Sequence, residues 1–420
     1  MPEPVKPLAI GELVAFYRRQ RGWSRPALAM RLHRSPSWVE KIERGERPID
    51  SIKVLLELSQ VLGVPPGRLL GKPIAPPPAG PDIPDPEGVL LELRQVLLHY
   101  DGIHGLNGDD TAGQPPRSFD ELERDTRRAW QQFDTKHNFL SGVLWLLPGL
   151  LREARRAERA AQQGSPQRRR AWRLLTELYR LAAWELWYYG EDDLAWIAAD
   201  RAISAAELAE DPLRGAAAAR ALQQVLLAHG QLDDVIALGE ATAPAILARS
   251  DARGAAAPEH VTVAGSIQLI AAYAAARAQD RNTHADLLGR AAASAEALGG
   301  DRRDLHLNFG MGMVAIQRVG MLVELFEPRE ALKLAALLPA DPLPTLDRRC
   351  FHRIHQARAH FLRRQDNEAL ALLVEAERIA PEIVRYQAMT REMVRAMLRR
   401  RRTRAPEEVR TLAERLQVIP

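Results

Sequence analysis

Between residues 24 and 47, polar side chains recur at helical spacing. Ser35, Pro36, Ser37, Trp38 and Lys41 fall on the side of one short helix opposite the apolar Val39 and Ile42. On such a face a lysine ammonium can donate to guanine O6 or N7, and a serine hydroxyl can pair with almost any base. A tryptophan ring there can pack on a thymine methyl or a sugar. Arg25, Arg34, Arg44 and Arg47 flank the same helix, where guanidiniums can hold phosphates without reading sequence. Two plainer readings stand beside these: the arginines form a solvated face, and Trp38 packs beside the turn as structure. Charge favours a polyanion partner. Residues 1–72 hold 13 Lys+Arg against 7 Asp+Glu, a balance of +6, whereas the other 348 hold 45 against 47, a balance of −2.

The elements that would position these side chains are legible. Helix 1 is expected from Ile10 to Arg21, with Leu13, Val14 and Tyr17 inward and Gly22 as its stop. Ser24 caps helix 2, Arg25 to Leu32, with Leu28, Ala29 and Leu32 inward. His33 and Arg34 make a turn. Ser35 caps helix 3, Pro36 takes its first position, and Gly45 ends it. Ser51 caps helix 4, with Leu55, Leu58 and Leu62 inward, and Pro65 opens a fifth helix that Gly71 ends.

The segment RRQRGWSRPALAMRLHRSPSWVEKIERGERPID, and above all its closing KIERGERP, resembles the XRE family of helix-turn-helix domains, the class of the phage lambda repressor and Cro proteins. The resemblance implies a five-helix domain whose helix 3 enters the major groove while helix 2 crosses the backbone. It also implies a buried ion pair between Arg18 and Glu43. Two departures stand out: Arg25 occupies a position the family usually gives to Gln, and His33-Arg34 replaces the usual Gly-Val of the turn. The DNA-facing set is therefore expected to be Arg25, Arg34, Ser35, Pro36, Ser37, Trp38, Lys41, Arg44 and Arg47. A domain of this kind that has lost DNA binding and serves only protein contacts is the competing reading.

The rest of the chain divides by composition. Residues 72–88, KPIAPPPAGPDIPDPEG, are too proline-rich for a helix and read as a semi-rigid linker. Beyond them Ala, Leu, Arg and Glu dominate, apolar residues recur at helical spacing, and no strand is expected. A polar loop is expected from Gly102 to Arg117. Asp211-Pro212, Gly300-Asp301, Asp341-Pro342 and Ala380-Pro381 punctuate the helices at a period near 40, a solenoid pattern. Ala369, Ala376 and Pro381 have the spacing of the second helix of a tetratricopeptide (TPR) repeat, and Ala285 and Ala292 repeat its first two positions. An irregular helical bundle is the alternative. The expected fold is all-α, a five-helix lambda-repressor-like domain followed by a TPR-like α-solenoid. The expected boundaries are 1–71 for DNA binding, 72–88 for the linker, 89–166 for a connecting or dimerising region, and 167–420 for the repeats.

Other constellations have plainer readings. Cys350, His352, His355 and His360 lack the carboxylate and spacing of a usual metal set, so no metal or cofactor is expected. Trp130, Trp145, Trp172, Trp184, Trp187 and Trp196, with Tyr179, Tyr188 and Tyr189, form either the core where a solenoid begins or the wall of a ligand pocket. Arg399 to Arg404 complement a helix end, or bind an acidic partner. No phosphate loop, nucleophile elbow, HExxH or dinucleotide fingerprint occurs, which argues against an enzyme. One cysteine, no signal-peptide pattern at MPEPVKPLAI and no bilayer-length apolar run predict a cytoplasmic protein without membrane contact.

The whole layout is similar to XRE regulators with C-terminal TPR arrays, here of an actinobacterial type, a family that includes peptide-sensing quorum regulators. That resemblance implies a homodimer on an inverted-repeat operator in double-stranded DNA, with a peptide or small-molecule effector in the array. Groove candidates are polar and charged residues inside the otherwise apolar first helices of the repeats, Gln268, Arg277, Asn308, Gln317, Arg318, Arg353 and Arg358, for most of which an exposed convex face is the alternative reading. The alternative function is a TPR-type interaction scaffold, in which the DNA-binding module only localises a partner protein.

Overall fold

Two serines decide where two of the first helices begin. The computed structural model describes residues 10–47, 49, 52–62, 64, 69, 86–98, 117–135, 139–249, 256–338, 345–400, 407–416 and 418. Helix α1 spans Ile10–Gln20, α2 Arg25–Arg31, α3 Pro36–Glu43 and α4 Ile52–Leu62. The Ser24 hydroxyl accepts from the Ala27 amide, and Ser35 from Trp38, each at 3.2 Å. Gly22 and Gly45 end α1 and α3 at φ 68° and 70°, a backbone that side chains rarely adopt. Val14, Leu28, Ala29, Val39, Ile42, Leu58 and Leu62 close one small core. Ser51, the fifth helix apart from Leu69, residues 72–85 of the linker, residues 102–116 of the polar loop, Asp341-Pro342 and Arg401–Arg404 lie outside the described residues. The linker ends earlier than expected, because Pro86 opens helix α5 (Pro86–Leu98). Proline costs nothing at a first helical position.

The body is a stack of helix pairs. After α6 (Phe119–Thr135), α7 (Phe139–Leu144) and α8 (Leu147–Ala160) come five pairs. They are α9 and α10 (Pro166–Tyr189, Asp192–Leu208), α11 and α12 (Pro212–His229, Leu232–Leu247), and α13 and α14 (Pro258–Ala278, Arg281–Leu298). Then follow α15 and α16 (Met311–Glu324, Pro328–Leu337) and α17 and α18 (Leu346–Leu362, Asp366–Ile379). Helices α19 (Pro381–Tyr386), α20 (Ala388–Arg400) and α21 (Glu407–Arg415) complete the described chain. Each first helix packs on the next first helix, so α9, α11, α13, α15 and α17 form an inner layer. Their first residues, 166, 212, 258, 311 and 346, lie 46, 46, 53 and 35 apart, a looser period than the sequence suggested. Ala369 and Ala376 are fully buried, as the small-residue spacing required. Ala285 is exposed, because α14 packs through His284, Leu287, Ala291 and Ala295 instead.

The array closes on itself. Phe351 of α17 meets Trp187 and Tyr188 of α9, with ring centroids 6.4 and 6.3 Å apart. Helix α13 is apolar and long enough to cross a membrane, yet its residues are mostly buried among α11, α12, α14 and α15. Of the tryptophans, Trp130 and Trp184 are buried, Trp172, Trp187 and Trp196 are half-buried, and Trp145 is 50% exposed.

One element contradicts the expectation of no strand. Arg302–Asp304 (β1) and Leu307–Phe309 (β2) form an antiparallel hairpin with Asp304 opposite Leu307. Its two turn residues, Leu305 and His306, take φ 47° and 60° without being glycine, which costs about 1–2 kcal/mol each. Tertiary contacts offset that strain. The Leu305 carbonyl accepts from Arg180 at 2.6 Å, and His306 stacks on Trp130 with centroids 4.2 Å apart. Arg303 pairs with Asp134, and Asp304 accepts from Thr262 at 2.6 Å. Phe309 is fully buried against Gly265 of α13, where any Cβ would collide with its ring. Gly265→Ala is therefore expected to lower stability by about 1–3 kcal/mol, measured by denaturant unfolding. An unchanged midpoint would show that the ring moves aside freely.

Candidate nucleic-acid interface and interior cavity

A buried carboxylate fixes how α3 sits on α1 and α2. Arg18 Nε donates to Glu43 Oε1 at 2.5 Å and its Nη2 to Oε2 at 3.2 Å, while Nη1 donates to the Trp23 carbonyl at 2.6 Å. Arg25 Nε adds a third bond to Glu43 Oε2 at 2.7 Å. Burial pushes the Glu43 carboxyl up, but bonds from Arg18 and Arg25, with their charges, hold it below the usual carboxylate range. Gly11 lets α1 touch α3, since a Cβ there would run into the Ile42 carbonyl.

With that frame fixed, the outer face of α3 is free. Ser35, Pro36, Ser37 and Lys41 are exposed, and Trp38 is half-buried beside the turn. Among the described residues, Lys41 and Arg47 have no carboxylate partner. The guanidiniums of Arg34 and Arg47 lie 5.7 and 6.0 Å from the Trp38 ring centroid. Arg34 also approaches Glu57 at 3.6 Å, and Arg44 pairs with Glu40 at 2.7 Å, one turn back on α3. Arg25 is the expected DNA-facing residue most engaged by the protein itself, through Glu43 and, at 3.8 Å, Glu40. His33 takes φ 52°, a left-handed turn position that suits the glycine of the resembling family better. Sequence reasoning passed over Arg21 and Arg31, whose guanidiniums lie 5.4 and 4.2 Å from the Trp23 ring centroid.

The second candidate site is a partly open pocket in the helical body. A cavity of about 110 Å³ is lined by side chains from all five inner helices. Of the seven expected groove residues, Arg277, Gln317 and Arg358 line it. The other four do not. Gln268 is buried and accepts from Ser294 of α14 at 3.2 Å. Asn308 is not on a repeat helix as expected but on β2, opposite Arg303. Arg318 is exposed, and Arg353 pairs with Glu375 of α18 at 3.1 Å. Polarity within an apolar helix marks an unusual position without saying which neighbour the position faces. The cavity also holds Trp184, Trp187, Tyr188, Gln224, Arg348 and Phe351. The aromatic cluster in the sequence hinted at three of these. Arg220 and Gln224, one turn apart in an alanine-rich helix, were the signal that went unread.

Arg277 and Arg358 are not idle. Both donate to Glu324 Oε1, at 3.2 and 3.1 Å, and Tyr273 Oη donates to the same oxygen at 2.9 Å. Burial pushes Glu324 up, yet the two guanidiniums bring it far below the ordinary range. His355 also lines the cavity, and burial beside Arg358 pulls it down to about 3, so its imidazole is neutral near pH 7.

Comparison with known proteins bears on the N-terminal domain. The family model for a helix-turn-helix domain matches residues 9–70. No curated protein and no solved structure matches the chain.

The depressed Glu43 carboxyl makes a testable statement. Such a group stabilises the folded domain above its unfolded pKa of about 4.3, and the contribution is lost as pH falls through the folded value. Amide exchange across residues 10–47 of the full chain, corrected for intrinsic rates, is expected to accelerate below about pH 4. Glu43→Gln is expected to remove that dependence and lower local stability by about 3 kcal/mol. Unchanged exchange in the variant would mean that α3 is held by apolar contacts alone.

Proposed function

We propose that this protein is a cytoplasmic transcription regulator that binds an inverted-repeat operator as a homodimer and whose helical body senses a ligand. The helix-turn-helix domain makes it a DNA-binding protein. The single observation that carries the regulator reading is the exposed α3 face, where Ser35, Ser37 and Lys41 stand clear of carboxylates beside basic flanks. In such a domain α3 enters the major groove from its N-terminal end. Lys41 and Ser37 would read base edges, and Arg34, Arg44 and Arg47 would hold phosphates. Arg25 would mainly brace Glu43, with part of its exposed head left for the backbone. One small domain buries too little surface for specific binding alone, which is the argument for two copies on DNA. The proposed division of labour is residues 1–71 for DNA, 72–88 for the linker, 89–166 for dimerisation and 167–420 for sensing, with the TPR-like pairs supplying the sensing surface.

Selection of sites from random DNA by the full chain tests this reading. An enriched inverted repeat with half-sites about 34 Å apart, or a multiple, is expected. Lys41→Ala is expected to relax preference at one base position by about 1–3 kcal/mol. Arg44→Ala should weaken binding to all sequences and reduce the salt slope by about 1. Equal, sequence-blind losses from both changes would overturn these roles. No enrichment, with only steeply salt-dependent binding, would overturn the operator reading.

A further inference from the structure

The charge around the interior cavity does not balance. Among the described residues that line it are three arginines, Arg277, Arg348 and Arg358, and no aspartate or glutamate. Glu324, behind the wall, neutralises one of Arg277 and Arg358 but not both. Among the described residues, Arg348 has one carboxylate neighbour, Asp347, at 3.4 Å. Behind Trp184 and Gln224 lies a fourth guanidinium, Arg220, which is only 4% exposed. It sits 5.4 Å from the Trp184 ring centroid, and both of its Nη atoms reach Gln224 Oε1 at 3.5 Å. No carboxylate among the described residues pairs with it. Burial, with Arg348 and Arg180 close by, pulls its pKa down to about 9. A buried cation without a counter-ion destabilises a fold, and proteins tolerate one mainly where something else supplies the charge.

The walls say what else the occupant carries. Trp184, Trp187, Tyr188 and Phe351 present aromatic surface beside Arg348. The meeting of α9 and α17 through Trp187 and Phe351 walls one side of the space, a pocket of about 110 Å³ that is partly open to solvent. The walled part of that pocket takes one ring and a small polar group. A guanidinium fork matches a carboxylate in two parallel bonds.

We propose that this cavity binds a small aromatic carboxylate. The ring lies against Trp184, Trp187 and Phe351. The carboxylate is taken by Arg348, within the field of Arg220. This proposal rests on the ligand-sensing reading above and narrows its effector from peptide or small molecule to one chemical class.

Intrinsic tryptophan fluorescence of the full chain, titrated with phenylacetate, tests it, because two tryptophans stand in the wall. A saturable change with phenylacetate is expected. Phenylacetamide, the same shape without the charge, should bind at least about tenfold more weakly. Inorganic phosphate and a heptapeptide ending in phenylalanine should give no saturable change. Arg348→Gln and Arg220→Met should each weaken phenylacetate by about tenfold or more. Arg220→Met should also melt higher than the parent chain without ligand, whereas a merely structural arginine would melt lower on removal. Equal binding of acid and amide, tighter binding of the peptide, unaffected variants, or no response to phenylacetate would each overturn the proposal. Operator affinity measured with and without phenylacetate separates it from the wider reading. Cavity binding that leaves operator affinity unchanged keeps the site and removes the gating. Operator binding without cavity binding keeps the DNA reader and removes the site.

Discussion

One carboxylate oxygen ties three helices of the body together. Glu324 Oε1, on α15, accepts from Tyr273 and Arg277 of α13 and from both Nη atoms of Arg358 on α17. A charge taken out of water needs several good bonds before the exchange is even neutral. Four donors on one oxygen meet that need, and they leave the helices little freedom to slide. The arginine stems are thereby pinned against the cavity. Glu43 plays the same part on a smaller scale in the N-terminal domain, where Arg18 and Arg25 lock α3 to α1 and α2. In both places a buried acid between arginines fixes how neighbouring helices meet.

The N-terminal domain was largely legible in its sequence because its signals are local. A serine cap acts on amides three residues ahead, and a glycine stop acts on its own φ. Ser24, Ser35, Gly22 and Gly45 did what their types allow, and Arg18 and Glu43 met as the resemblance implied. Arg25 shows the limit of that reasoning. Its position put it among the DNA-facing candidates, yet in the fold Glu43 takes its guanidinium, a partner that sequence position alone does not reveal.

The body was legible as helices and much less so as a site. Helical periodicity reports that a face is buried, not against what. Gln268 and Arg358 both looked like polar intrusions into apolar helices, yet one bonds Ser294 and the other lines the cavity. The hairpin escaped for another reason. Its turn is Leu305-His306, without the glycine or asparagine that would announce it, and it exists because Arg180 and Trp130 hold it from elsewhere in the chain. Strain tolerated through distant contacts leaves no local trace.

Closure changes what kind of object the array is. Open helical arrays behave as one-dimensional chains, in which each unit leans only on its neighbours and ends can be trimmed or extended. Here Phe351 returns to Trp187, and Arg180 reaches a carbonyl 125 residues further along. Those links make a circuit. No pair in it is terminal in the sense that matters energetically, because removing the last one bares the first. Such a body gains cooperativity and gives up modularity. It should lose its shape as one unit rather than fray from an end, and its lineage has little room to add or drop a repeat without reopening the ring.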